Sequence, residues 1–338
     1  MSAPPLSELT TLRLGGPAAR LVSIDRDDAL LDAVRAADGG AEPLLLLAGG
    51  SNVVVADEGF PGTAVLVRST GVSVHRDGSE RVLVIAQSGE HWDDLVARTV
   101  HDRLAGIECL SGIPGSVGAT PIQNVGAYGQ DVRETVLSVR AFDRQAGRVL
   151  QLAPADCRFG YRSSAFKGTD RWVVLEVTYG LSPSTLSRPV RYAELAERLG
   201  LRVGGRAPLS EVREAVLALR GRKGMVLAAD DPDTRSVGSF FTNPVLAPEQ
   251  VPDGAPSWRQ PGGLVKTSAA WLIERAGFGR GYAHGSARLS SKHVLALTNP
   301  GHGSSADLLA LARELRDGVR DVYGIELVAE PVLVGQRL

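Results

Sequence analysis

Cysteine is scarce in this chain of 338 residues: there are two, Cys109 and Cys157, and no Cys-x-x-Cys pair. Thiols so few and so widely spaced exclude a disulfide framework and a structural zinc site, and a reducing, cytoplasmic setting is expected. Net charge is missing too. The 37 Lys plus Arg against 38 Asp plus Glu give no long-range attraction to nucleic acid or to an anionic membrane surface, so neither is expected as a partner. No run is apolar for long enough to insert in a bilayer, and the opening MSAPPLSELTTLRLGGPAAR lacks the basic start and apolar core of a secretory leader. The histidines at 75, 91, 101, 284, 293 and 302 show no metal-ligand spacing, so no metal is expected. There is no fixed-period repeat or low-complexity tract. What remains is a soluble chain long enough for two or three domains with real cores, expected to act as a monomer.

The most informative presence is itself a gap in the charge pattern. Cys109 to Gln130, CLSGIPGSVGATPIQNVGAYGQ, runs for 22 residues without a charged side chain and carries five glycines and two prolines. Gly and Pro break helices, so this is neither a membrane span nor a core helix. Two readings stand. One is a long loop with turn glycines; the other is a surface of exposed backbone N–H groups that the pyrophosphate of a nucleotide could approach closely.

Around it the pattern is α+β. DDALLDAVRAAD (27–38) sets Leu30, Leu31 and Val34 on one helical face, and PLLLLA (43–48) reads as a buried strand ending at Gly49-Gly50. VVVA (53–56) follows with no room for a helix, so Gly49-Gly50-Ser51-Asn52 is not a Rossmann fingerprint and any phosphate site there is loop-built. RVLVIAQ (81–87) alternates as a strand, and HWDDLVARTVHDR (91–103) has helical spacing. TVLSVRAFDR, GRVLQL and RWVVLEVTYGL are rich in β-branched residues and predict sheet. LSPSTLSRP reads as a linker at about residue 182. Beyond it, a helix capped by Ser210, a helix over 266–277 and a helix opened by Ser305 are predicted, with IELVAEPVLVG as a closing strand.

Three polar residues sit in settings that strain a purely structural reading. Ser239, between a glycine and two phenylalanines, would hold its hydroxyl in a dry pocket wall, or simply bond a neighbouring carbonyl. Arg162 follows an aromatic in a weakly charged stretch, where a surface role is the plain alternative. Glu330 stands in an apolar strand beside Pro331, so it either faces outward on an edge or points into a site.

Taken in order, GGSN (49–52), SGIPGSVGATPIQNVGAYG (111–129), GYRSSAFK (160–167), GSFFTNP (238–244) and AEPVLVG (329–335) resemble one family, the UDP-N-acetylenolpyruvoylglucosamine reductases, or MurB, over about Leu9 to Gly335. The resemblance implies an FAD-binding region of two α+β subdomains of the vanillyl-alcohol-oxidase/PCMH type over 1–184, divided near residue 70. A C-terminal α+β substrate-binding domain would span 185–338, with 325–338 returning to the FAD region. Flavin contacts implied are Gly49, Gly50, Ser51, Asn52, Ser111, Gly112, Ile113, Pro114, Gly115, Ser116, Gly118, Ala119, Gly126, Ala127 and Tyr128. GGSN holds neither His nor Cys, which supports non-covalent FAD.

The implied reaction uses NADPH to reduce FAD, then passes a hydride to C3 of the enolpyruvyl ether of a UDP-sugar and a proton to C2. Ser239 matches the family's proton donor, while Arg162 and Glu330 match residues that polarise the substrate carboxylate. A glutamate there would have to be protonated or bridged by a cation. RPVRYAELAERLG with RGRKGMV looks like the type whose loop closes over the UDP group, with Tyr192 and Lys223 as its tyrosine and phosphate-contacting lysine. Asn243 and His293 fall at substrate-lining positions, although some members have an amide where His293 stands. Val328-Ala329-Glu330 leaves one acid where many members have two, and DDPDTRSV (230–237) replaces an Asn/Gly-rich approach to the serine. Another FAD-dependent oxidoreductase of the same fold, or a non-catalytic flavin-binding protein, are the alternatives.

Overall fold

Long β-branched runs organise the larger sheet. In the computed structural model, which describes residues 4–78, 80–301 and 303–338, the run from Val136 to Asp143 is a strand between Arg148–Leu152 on one side and Trp172–Pro183 on the other. His302 and the first three residues of the opening stretch lie outside the described residues. Trp172–Pro183 pairs onward with Arg81–Gln87, and that strand with Val72–Asp77, all antiparallel. The run WVVLEVTYGL does not alternate because both of its faces are covered. Val173 and Leu175 pack with Leu30, Val34 and Val65, whereas Val177, Tyr179 and Leu181 pack with Trp92, Leu95 and Val139. A second sheet orders Ala18–Ile24, Phe60–Val67 and Leu44–Leu47, the last two parallel with Leu44 opposite Thr63. Helix Asp27–Gly40 supplies Leu30 and Val34 to its core, and helix Trp92–His101 supplies Trp92, Leu95 and Val96 to the other.

These elements belong to one of two compact units, Ala19–Gly49 with Pro61–Arg222; the other is Met1–Ala18, Gly50–Phe60 and Lys223–Leu338. In the latter, Ser236–Ser239, Ala296–Thr298, Ala287–Leu289 and Ala283–His284 form an antiparallel sheet. Helix Ser305–Tyr323 turns Leu308, Leu311, Leu315 and Val319 toward Phe240, Phe241, Leu289 and Leu297. Truncating any one of these fully buried leucines to alanine costs about 2–5 kcal/mol.

Helix starts differ from the sequence expectation by a residue or more. Ser210 lies inside helix Leu209–Arg222 rather than capping it. Ser304, not Ser305, caps the last helix, accepting the Asp307 amide. Val265–Thr267 is a strand, and the helix predicted over 266–277 starts at Ala269 behind the Ser268 cap. At Ser268 and Ser304 the hydroxyl that reaches an otherwise unpaired amide of the first turn sets the start. The closing strand is regular only at Val332–Val334, which runs parallel to Val53–Val55; Ala329 forms a separate bridge to Phe241. Pro331 lies between them and has no N–H to give a ladder.

Candidate active site

The uncharged segment is held at its start by two carboxylates. Asp93, in the first turn of Trp92–His101, accepts the Gly112 amide at 2.6 Å and both terminal nitrogens of Arg213 at 2.6 and 2.8 Å. Burial pushes the Asp93 carboxyl up, but the Arg213 bonds and the Gly112 amide outweigh it and hold the group below its ordinary range. Glu108, fully buried, accepts the Gly106 amide at 2.6 Å, the Gln130 side-chain amide at 2.9 Å and the Arg188 amide at 2.8 Å. Three donors offset the cost of burying that charge. They also tie together the loop, the hairpin Gly126–Asp131 and the segment leading to Tyr192.

Further on, backbone meets backbone. A Cβ on Gly49 would lie 2.7 Å from the Gly115 Cα, and one on Gly118 would lie 2.5 Å from the Ser88 Cβ. Several loop amides are consumed inside the protein: Gly112 by Asp93, Val117 by Glu90, Gly118 by Ser88 and Ala119 by Ser116. Ser111 is fully buried with its hydroxyl donated to the Glu108 carbonyl. The exposed-backbone surface is therefore narrower than 111–119. Among the described residues, the amides of Gly115 and Ser116 have no such partner, and the buried Ser116 Oγ has none either.

Arg162 sits in a tight turn closed by Gly160 and Ser163, with the left-handed φ of 49°. Its Nη2 donates to the Gly126 carbonyl at 2.7 Å, and its own carbonyl accepts Lys167 Nζ at 3.1 Å. Tyr128 meets Tyr192 edge to face, and burial pushes the Tyr128 phenol up to about 12. In this unit the structure thus joins, pair by pair, Gly49 with Gly115, Gly126 with Arg162, and Tyr128 with Tyr192.

The other unit carries Ser239 and Glu330. Ser239 ends its strand opposite Ala296 and is half-buried, while Phe240 and Phe241 fill the core with ring centres 5.1 Å apart. The dry wall expected around Ser239 belongs to the phenylalanines, and the serine itself lies at its edge. The Glu330 amide donates to the Phe240 carbonyl at 2.8 Å, so the segments bearing Ser239 and Glu330 run side by side. Asn52 reaches the Glu330 carbonyl through Nδ2 at 3.5 Å and accepts the Val332 amide at 3.0 Å. Asn243 Oδ1 accepts the Ala269 amide at 3.0 Å, which commits part of that side chain to the helix start. His293 lies in the turn before Ala296–Thr298, its carbonyl accepting the Ala296 amide at 3.1 Å, and Lys223 is half-buried. Among the described residues no group of three or more His, Cys, Asp or Glu side chains is placed to hold a metal.

Sequence reasoning passed over Asp93, Glu108, Gln130 and Arg213. Glu108 alone left a signal, a carboxylate in the apolar IECL directly ahead of a charge-free stretch.

Two family profiles match the chain in tandem: an FAD binding domain over residues 18–153 and the UDP-N-acetylenolpyruvoylglucosamine reductase C-terminal domain over 230–334. The UDP-N-acetylenolpyruvoylglucosamine reductase of Thermobifida fusca (strain YX) is 54% identical over 350 residues, covering 99% of this chain and 98% of that one. The chain belongs to the UDP-N-acetylenolpyruvoylglucosamine reductase family. The reductase of Salinispora arenicola (strain CNS-205) is also 54% identical, over 341 residues, covering 97% of this chain and 94% of that one. The fold matches the crystal structure of the Thermus caldophilus enzyme with a TM-score of 0.67 at 24% identity, across 98% and 97% of the two chains.

As a family member the chain is an FAD-dependent oxidoreductase with NADPH as electron donor. It has an α+β FAD-binding domain followed by the family's C-terminal domain. The residues present fit the cofactor. An unpartnered buried hydroxyl at Ser116, two adjacent unconsumed amides and the side-chain-free approach between Gly49 and Gly115 suit a phosphate oxygen.

Proposed function

We propose that Ser239, Arg162 and Glu330 are the working groups of this chain in its family's reaction. That reaction is the NADPH-dependent reduction of UDP-N-acetylglucosamine enolpyruvate to UDP-N-acetylmuramate in peptidoglycan precursor synthesis. Bound FAD, once reduced, supplies the hydride for C3 of the enolpyruvyl ether. Negative charge then develops at C2 and the carboxylate, and the Ser239 hydroxyl delivers the proton to C2; a weak acid suffices because the carbanion is strongly basic. Arg162 polarises the substrate carboxylate. Its guanidinium is already held by the Gly126 carbonyl, so little reorganisation is needed as charge builds. Glu330 steadies the enol-like species beside the substrate carboxylate.

Tyr192 and Lys223 hold the UDP end, and Asn243 and His293 line the sugar pocket. The region 1–184 holds FAD without a covalent bond and 185–338 the substrate, a division along the sequence that the compact units do not follow: 185–222 belongs to the unit of 61–184, and Val53–Val55, the partner of the last strand, to that of 223–338. The chain acts as a monomer in the cytoplasm, a setting supported by its two unpaired, buried cysteines.

The observation that carries this reading is the bond between the Glu330 amide and the Phe240 carbonyl, which fixes the proton donor's segment beside that of the acid. Rapid mixing tests it. Ser239→Ala keeps its FAD and is reduced by NADPH at nearly the normal rate, but its reoxidation by the enolpyruvyl substrate slows by about 10²- to 10⁴-fold. Ser239→Cys recovers part of the loss. Reoxidation of Ser239→Ala at the wild-type rate removes the serine from the mechanism.

A further inference from the structure

DDPDTRSV, the stretch in which this chain departs from the Asn/Gly-rich approach to the serine, contains a buried carboxylate that the reaction does not use directly. Asp233 is 5% exposed. One of its oxygens accepts the Ser291 amide at 3.2 Å and the other the Ser291 hydroxyl at 2.5 Å. Its own amide donates to Asp231 Oδ1 at 3.1 Å, and Asp231 Oδ2 binds Lys292 Nζ at 2.5 Å. Asp233 also backs the turn after Lys223: a Cβ on Gly224 would lie 3.2 Å from the Asp233 Cβ. Thr234 locks the same turn, donating its hydroxyl to the Ala228 and Asp231 carbonyls at 2.9 and 2.7 Å. Strand Ser236–Ser239 begins two residues later.

Three segments therefore meet at Asp233: the turn bearing Lys223, which packs against its Cβ, the loop of Ser291 that leads into His293, which its carboxylate holds, and the approach to Ser239, to which it belongs. We propose that Asp233 is a positioning residue for the substrate-reducing half-reaction, fixing these three segments in one geometry. The inference rests on the roles given to Ser239, Lys223 and His293. The buried Asp233 carboxylate depends on the Ser291 amide and hydroxyl as donors, because a buried acceptor left without them is costly, so the exposed loop has one low-energy seat against it. Groups a few residues from the reacting atoms matter when a misplacement of about 1 Å is costly.

The test compares Asp233→Ala, Asp233→Asn and Ser291→Ala as FAD-loaded enzymes, with thermal melts alongside both half-reactions. Asp233→Ala is expected to slow reoxidation by the enolpyruvyl substrate about 10- to 100-fold and to raise KM for it, with flavin reduction by NADPH nearly unchanged. Asp233→Asn, which keeps an acceptor for the Ser291 amide, recovers most of the rate, and Ser291→Ala shows a smaller loss of the same kind. Should Asp233→Ala fail to fold, Asp233→Asn and Ser291→Ala carry the decision. Equal damage to both half-reactions, or a lowered melting temperature with wild-type reoxidation, overturns the proposal. Ser239→Ala measured in parallel separates the two layers: if it reoxidises normally the underlying reading fails, and if it is impaired while the Asp233 and Ser291 variants behave as wild type, only the role of Asp233 fails.

Discussion

The ring of Tyr192 meets that of Tyr128 edge to face, with centres 5.3 Å apart and planes at 85°. Such a pair contributes about 0.5–1.5 kcal/mol beyond its buried area and seats Tyr192, a residue 42% exposed, beside the glycine-rich segment.

Tyr192→Phe keeps that ring contact and loses only the hydroxyl. With Lys223→Ala, it is expected to raise KM for the sugar nucleotide about tenfold or more while leaving flavin reduction by NADPH close to normal. Steady-state kinetics beside single-turnover flavin reduction decides it; matched losses in both half-reactions would sink the assignment of these residues to the UDP end.

At Gly115 the backbone is left-handed, with φ at 116°, and packs on Gly49. Gly115→Val should lower both FAD content and melting temperature, because the new side chain strains the turn and separates the loops. Unchanged flavin content, read from the visible spectrum of the purified variant, would count against the loop.

Ser116 makes a finer probe. Its hydroxyl has no partner among the described residues, so Ser116→Ala should leave the melting temperature of the FAD-free protein unchanged or slightly higher. FAD affinity should fall about 10- to 100-fold, as for a lost hydrogen bond to a charged group. Titration calorimetry showing wild-type affinity would remove Ser116 from the cofactor site.

Asp93 ties the loop to the protein through Gly112, and its folded-state pKa lies below the unfolded value of about 3.9. Its contribution is therefore complete above that value and disappears as pH falls through the folded one. Melting temperatures of wild type and Asp93→Asn should differ by a constant amount from pH 8 to about 5 and converge below about pH 4. A gap that stays constant down to pH 3 refutes the linkage.

No covalent flavin link is expected. Burial pushes the Cys109 thiol well up and that of Cys157 to about 11, which leaves neither as a ready nucleophile. Acid precipitation should release all the yellow colour; colour retained on the pellet would show an attachment.

The parts of this molecule legible in the sequence are those where one residue type answers one demand. β-branched runs at Val136–Asp143 and Trp172–Pro183 could be read as sheet because pleated packing favours them. The glycine words could be read as cofactor loops because only missing side chains allow the approach of Gly49 to Gly115. Helix starts were blurred where two hydroxyls stand side by side, as at Ser304 and Ser305, and only geometry tells which one reaches the amide. Glu108 was illegible in its role because its partners come from residues 106, 130 and 188, a convergence that tertiary structure alone creates. The same holds for Asp233 and Ser291, 58 residues apart.

Arg162 holds its left-handed φ without being glycine, at a cost of about 1–2 kcal/mol to the fold. Folding alone would prefer glycine or asparagine there, whereas a guanidinium aimed by the Gly126 carbonyl can come from arginine only. Selection for heat resistance in a host that no longer needs this step of wall synthesis should therefore drive position 162 away from arginine early, and a population still building wall from this chain should keep the strained residue.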